Sequence, residues 1–246
     1  MRDLRQRCDW DRAQTHESLR PYLVEEAYEV DDAIRQLGSG GDPGALRDEL
    51  GDLLLQVLFH SVVAEERGAF DLHDVARALI TKMRDRHPHL YPPEGADAPT
   101  ERPDWERMKA RRRRAIDEGL PAGLPALHRA HRLQDRAAGV GFDWPDAAGP
   151  ADKVAEELGE VRAELERPVP DAAAVEGELG DLLFAVVNLC RKAGVHASLA
   201  LDKANAKFAA RFGAVERLAA ERGVDVGSAG LATLDALWDE VKTAER

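Results

Sequence analysis

A pattern of carboxylates set into apolar helical segments occurs twice in this 246-residue chain, and it constrains the fold more than any other feature. The first copy runs Val24-Glu25-Glu26-Ala27-Tyr28-Glu29-Val30 and then Glu49-Leu50-Gly51-Asp52-Leu53-Leu54. The second runs Ala155-Glu156-Glu157-Leu158-Gly159-Glu160-Val161 and then Glu178-Leu179-Gly180-Asp181-Leu182-Leu183. Residues three and four apart share one face of a helix, so each copy reads as two helices with acidic faces. Packed side by side, they bring several like charges to one place, which is costly unless a cation sits among them. Hard oxygen ligands favour Mg²⁺ or Mn²⁺ over zinc. The double occurrence reads as a duplicated helical unit.

Local cations do not offset this charge. Segment 152–181 holds ten acidic residues against Lys153, Arg162 and Arg167. The net charge of -12 argues against a general nucleic-acid-binding surface. A polyanionic small molecule stays compatible with it, because a bound metal reverses the local field. Cys8 and Cys190 suggest neither a disulfide framework nor a cysteine zinc site. No signal peptide and no apolar run of membrane-spanning length is visible, so the expectation is a cytoplasmic protein without membrane or direct nucleic-acid partners.

Apolar periodicity predicts helices over 19–37, 45–67, 72–86, 125–138, 150–166, 172–192, 196–222 and 231–243. Pro21 is expected in a first helical turn, Pro43 is expected to stop a helix, and Asp71 is expected to cap one. The apolar residues of 45–67 nearly encircle it, which predicts a largely buried helix with Glu49, Asp52 and Gln56 on its polar face. Gly51 and Gly180 suggest close approach of a neighbouring helix, a metal-bound water or a ligand. Pro88, Pro92, Pro93, Pro99 and Pro103 mark a linker or long loop. The basic run Arg107, Lys109 and Arg111–Arg114 reads as a solvated helix face or as a contact for phosphate or an acidic partner. No alternating β-branched run is present. The expectation is an all-α fold of two duplicated helical-bundle modules, 1–95 and 123–246, joined by a linker with a basic segment, 96–122.

Lys203, Lys207 and Arg211 recur at four-residue steps beside Asn205, Phe208 and Phe212. This stripe reads as a solvated amphipathic face or as a phosphate-binding edge for the acidic site. Trp238 reads either as a base-stacking residue or, with Leu234, Leu237 and Val241, as core. A site of this kind can polarise a phosphoryl oxygen, orient a leaving diphosphate and activate water. A carboxylate not committed to metal would serve as general base, and the sequence does not separate that base from the ligands.

Several further motifs carry a family likeness. They are Cys8-Asp9-Trp10-Asp11, Gln14-Thr15-His16, Pro21-Tyr22-Leu23 and Arg86-His87-Pro88-His89, then Arg136-Ala137-Ala138, Val140-Gly141-Phe142-Asp143-Trp144, Lys203-Ala204-Asn205, Lys207-Phe208 and Arg211-Phe212. With the acidic pairs, they make the chain resemble, over nearly its full length, the two-domain form of the MazG family of nucleoside triphosphate pyrophosphohydrolases. The resemblance implies an all-α NTP pyrophosphatase fold acting as a homodimer. It implies Mg²⁺-dependent conversion of NTP and water to NMP and diphosphate, broad over ribo- and deoxynucleotides. It places metal ligands at Glu157, Glu160, Glu178 and Asp181, with Glu156 adjacent as part of the catalytic set. Lys207 and Arg211 take the phosphate-binding positions, with Lys203 and Asn205 nearby, and Trp238 takes a nucleotide-binding position. A second metal set falls on Glu26, Glu29, Glu49 and Asp52. Two departures stand out. Family members often carry proline where Asp9 stands, and Lys82-Met83-Arg84-Asp85 lacks the asparagine of Lys203-Ala204-Asn205. Catalysis is therefore expected in the C-terminal module. The competing readings are a narrow dUTP- or dCTP-type house-cleaning pyrophosphatase and a non-catalytic nucleotide-sensing helical protein.

Overall fold

A computed structural model describes residues 1–92, 95 and 115–245. The basic run at 107–114 and most of the proline-rich linker lie outside the described residues. Every regular element among the described residues is α-helical. The chain divides into two compact units, Met1–Pro103 and Asp104–Arg246.

The first unit contains α1 (Arg2–Arg7), α2 (Asp9–Ala13), α3 (His16–Gly38), α4 (Pro43–Glu66) and α5 (Leu72–Arg86). α3 and α4 form its helical hairpin. Thr15 and Ser18 make a reciprocal capping box that starts α3 at His16. That early start overturns the expected place of Pro21, which lies inside the helix rather than in its first turn and deprives one carbonyl of its intrahelical donor. Pro43 likewise starts a helix instead of stopping one: Asp42 accepts from the Gly44 amide, and Pro43 takes the first helical position. Asp71 caps α5 as expected, in a second capping box with Asp74.

The core of this unit is Leu19, Phe59 and Val63, with Met1 packed against it. The Arg5 guanidinium lies over the Phe59 ring and bonds Glu66 and the carbonyls of Asp11 and Gln14. It thereby ties α1 and α2, a stretch without an expected helix, onto the hairpin. α4 is not largely buried. Gln56, Phe59, Ser61, Val63 and Ala64 are buried, whereas Leu50, Leu54, Leu55 and Val57 are exposed. A helical hairpin covers one face of each helix, so an apolar ring around α4 leaves a face that the described residues of its unit do not cover.

The second unit contains α6 (Ala126–Ala138), α7 (Ala148–Leu165), α8 (Ala172–Lys192), α9 (Ala197–Glu221) and α10 (Leu231–Ala244). α7 and α8 form the counterpart hairpin, α6 packs on α8 and α9, and α10 packs on α9. Val215, Ala219 and Leu237 make the α9–α10 core, with Leu234, Trp238 and Val241 against it. Buried Arg136 donates to the carbonyls of Ile116 and Glu118, the same device as Arg5: a guanidinium satisfying loop carbonyls beside a hairpin.

Candidate metal centre

The hairpin geometry turns each acidic sequence pattern into a cluster. Glu157 on α7 and Glu178 and Asp181 on α8 each place one carboxylate oxygen within 4.8 Å of the others. Glu26 on α3 and Glu49 and Asp52 on α4 do the same in the first unit. These are the groups among the described residues that can hold a metal ion. All six ligand atoms are carboxylate oxygens, a donor set for a hard divalent cation.

Glu160 and Glu29, also expected as ligands, stand beside the clusters rather than within them. Glu160 hydrogen-bonds Glu157 and feels Glu178, which holds its carboxyl above the usual carboxylate range. Glu29 hydrogen-bonds Glu26, whose carboxyl is raised first by burial and then by Asp52 and Glu29. Glu156 is not among the clustered acids: it is exposed and pairs at 2.9 Å with Lys153, the ammonium that also meets Glu157. Gly51 and Gly180, expected at points of close approach, have nothing within 4 Å of where a Cβ would stand.

The two copies differ in how they satisfy their deepest acid. Glu157 is 5 % exposed and meets the Lys153 ammonium at 2.6 Å. That bond, and a further one with Glu160, hold the Glu157 carboxyl below its ordinary value. The ammonium gains in return, and its pKa is raised chiefly by Glu157 and Glu156. A positive group thus already sits against the cluster where the charges demand one. In the first unit Glu26 bonds the buried amide of Gln56 instead. Lys153, expected only as a local cation, is the partner of the buried acid. Its spacing four residues before Glu157 was the available signal, and Tyr22 stands at that spacing before Glu26.

The basic stripe is a real feature of α9, but within the chain no hydrogen bond or ion pair joins it to the cluster among the described residues. Lys203, Asn205 and Lys207 are exposed. Arg211 donates to Glu245 at 2.7 and 2.8 Å, bracing α9 against α10. Trp238 packs beside Phe208, with ring centroids 5.4 Å apart, and against the Val215–Ala219–Leu237 core. Trp238 is half-buried in this packing.

A cavity lies beside the second cluster, formed by residues from distant segments. About 510 Å³ of space opens beside Glu157 and Asp181 and reaches Phe142 and Trp144. The connection holding those aromatics is fixed by Asp143, which pairs with Arg191 and with Lys192 at 3.2 Å. These cations hold the Asp143 carboxyl below its ordinary value, Arg191 first.

Comparison with known proteins agrees with this duplicated arrangement. The MazG nucleotide pyrophosphohydrolase domain matches residues 14–91 and again 151–215. The chain is 44 % identical over 252 residues to the nucleoside triphosphate pyrophosphohydrolase of Escherichia coli K12, covering all of this chain and 94 % of the relative. It is 42 % identical over 241 residues to the nucleoside triphosphate pyrophosphohydrolase/pyrophosphatase of Thermotoga maritima, covering 96 % of this chain and 89 % of that protein. An uncharacterised Bacillus subtilis protein is 38 % identical over 97 % of this chain, which spans 49 % of that longer relative. The chain belongs to the MazG family, with two MazG domains in one polypeptide.

Proposed function

We propose that this protein hydrolyses nucleoside triphosphates to monophosphates and diphosphate with Mg²⁺, Mn²⁺ serving as a substitute, and that its C-terminal unit carries the reaction. The observation that carries this reading is the convergence of Glu157, Glu178 and Asp181 within 4.8 Å, in a chain of the MazG family. The donor set fits a hard cation, and the Lys153 ammonium against Glu157 is a protein cation standing in the same field. Glu157, Glu178 and Asp181 would hold the metal, with Glu160, which hydrogen-bonds Glu157, beside them. When bound, the cation would neutralise phosphate oxygens and lower the cost of bringing a polyanion to an acidic surface. Lys153, released from Glu157, is within reach to meet phosphate charge. Lys203, Asn205, Lys207 and Arg211 form the further phosphate-binding edge, and Arg211 exchanges Glu245 for substrate. A carboxylate of this face not committed to the metal would take a proton from the attacking water.

The substrate range proposed is broad, covering ribo- and deoxynucleotides, and the site of action is the cytoplasm. No helix among the described residues is long and apolar enough to cross a membrane. The working form proposed is a homodimer. Leu50, Leu54 and Leu55 on α4, and Leu179, Leu183 and Val186 on α8, are exposed on the hairpins, and covering such faces is strongly favourable. Sedimentation equilibrium giving a monomer mass at micromolar concentration would overturn the dimer.

The activity test resolves products from an NTP incubated with protein and Mg²⁺. Equimolar NMP and diphosphate are expected, and NDP with orthophosphate overturns the assignment. Glu178→Gln keeps the side-chain volume and removes a ligand charge. Turnover is expected to fall on the order of a hundredfold or more with the circular dichroism unchanged, and undiminished turnover would remove the C-terminal unit from the mechanism.

A further inference from the structure

We propose that His16 and His60 form an acid-opened latch that holds the N-terminal segment, residues 1–15, against the α3–α4 hairpin of the first unit.

The two imidazoles join distant parts of the chain. His16 is the first residue of α3, and His60 lies in the C-terminal half of α4. Their Nδ1 atoms stand 2.8 Å apart, with the rings 7° from parallel. Both side chains are half-buried. The core of the unit lies beside them: Leu19, one turn after His16, packs with Phe59, next to His60, and with Val63. The N-terminal segment reaches the same place. Met1 packs on this core, and the Arg5 guanidinium lies over the Phe59 ring while it bonds the carbonyl of Gln14, two residues before His16. The histidine pair therefore sits at the seam where that segment meets the hairpin.

A bond between two imidazoles needs one N–H donor and one bare nitrogen. In the neutral pair, one ring carries its proton on Nδ1 and the other on Nε2. His60 Nε2 is buried without a partner. Orphaned buried N–H groups are rarer than orphaned acceptors, so His60 is the Nδ1–H donor and His16 the acceptor, with its own proton on Nε2. This arrangement has no good place for a further proton. On His60 Nε2 it would create a charged ring whose buried N–H nothing accepts. On His16 Nδ1 it would set two N–H groups against each other at 2.8 Å. Protonation opens the pair instead of adding to it.

The charged groups of the surrounding elements are matched to one another. Arg2 of α1 pairs with Glu65 of α4 at 2.9 Å, and Arg5 pairs with Glu66. Arg12 of α2 pairs with Asp9, Arg20 of α3 with Glu17 and Arg77 of α5 with Asp74. Burial first and His16 second lower the pKa of His60, and no carboxylate opposes them. The open segment then binds a proton more readily than the closed one. The latch is complete above the free imidazole value of about 6.5 and is lost as pH falls below it. The duplicated unit lacks this pair: the offset that relates Asp52 to Asp181 puts Leu189 at the place of His60.

The test is amide hydrogen exchange of the whole protein, read by mass spectrometry at pH 7.5, 6.5 and 5.5 with exchange times scaled to the intrinsic rate. Peptides from residues 1–15 are expected to lose protection about tenfold per pH unit below about 6.5, the effect of one proton taken up on opening. His60→Gln keeps an N–H donor for His16 and does not titrate, so it is expected to hold the neutral-pH protection down to pH 5.5. Peptides of α6 and α9 keep His128, His131 and His196 in both proteins and are expected to respond alike. No loss of protection in the wild type, or an equal slope in the variant, overturns the proposal. If His60→Gln does not fold or is open at every pH, imidazole ¹H–¹⁵N spectra of the wild type decide. His60 is expected as the Nδ1–H tautomer at pH 7.5, taking up its second proton at the pH where the segment opens. An Nε2–H tautomer at His60, or an opening that follows the titration of neither histidine, overturns it.

Discussion

Gly149→Ala gives a sharp test of how the second unit is built. Alanine in place of a helical glycine should stabilise α7 by about 1 kcal/mol, because it removes backbone freedom from the unfolded chain. The structure predicts the opposite sign. The new Cβ would stand 2.9 Å from Trp144 Cγ, with Cδ1 and Nε1 nearer, against a comfortable carbon–carbon separation of about 3.5–4.0 Å. The indole must swing out or the helix start must shift. Overpacking of this kind costs about 1–3 kcal/mol. Gly159 lies in the same helix and has nothing within 4 Å of its Cβ position, so Gly159→Ala keeps the intrinsic gain alone. Gly149 is the second residue of α7 and gains less from propensity than interior Gly159, so the gap between the two variants is at least about 1–3 kcal/mol, or roughly 2–12 °C in Tm for a unit of this size. Parallel thermal melts followed by circular dichroism read that gap. If the two alanines raise the Tm equally, Trp144 is not seated on Gly149.

Two further outcomes are expected. His128 and His131 on α6 pack against His196 at the start of α9, with ring centroids 5.0 and 4.5 Å apart. Burial lowers the pKa of both, His196 adds to the effect, and Arg132 adds a little more, while Asp135 partly opposes it at His131. The unfolded chain then binds protons more readily than the folded one, so stability is complete above the unfolded value of about 6.5 and is lost as pH falls below it. The Tm of the second unit should drop between pH 7.5 and 5.5, and a His128→Gln, His131→Gln double variant should flatten that slope. An equally steep slope in the variant would assign the acid sensitivity elsewhere. Separately, Glu26→Gln with Glu49→Gln disarms the first cluster, and NTP turnover should stay within about twofold of wild type if the second unit carries the reaction. A loss like that of Glu178→Gln would make both clusters catalytic.

The sequence by itself determined the all-α class, the duplication and the helices that carry the acids. Those follow from local periodicity: 172–192 was legible from its apolar spacing and Asp71 from its capping chemistry, and both stand where expected. The carboxylates that converge were legible too, because two acidic faces on a helical hairpin have few places to point. Helix starts were less legible. Thr15 and Asp42 cap earlier than the apolar pattern begins, and so Pro21 and Pro43 changed roles. What only the tertiary structure decided is which side chains from distant segments share a space. Glu160 stands beside the cluster instead of in it, Arg211 is held by Glu245, and Trp238 joins a core. Gln134, Asn188 and Trp144 meet around a cavity only because α6, α8 and the start of α7 pack together. Periodicity fixes the face a residue occupies along its own helix, whereas packing between helices sets what that face meets.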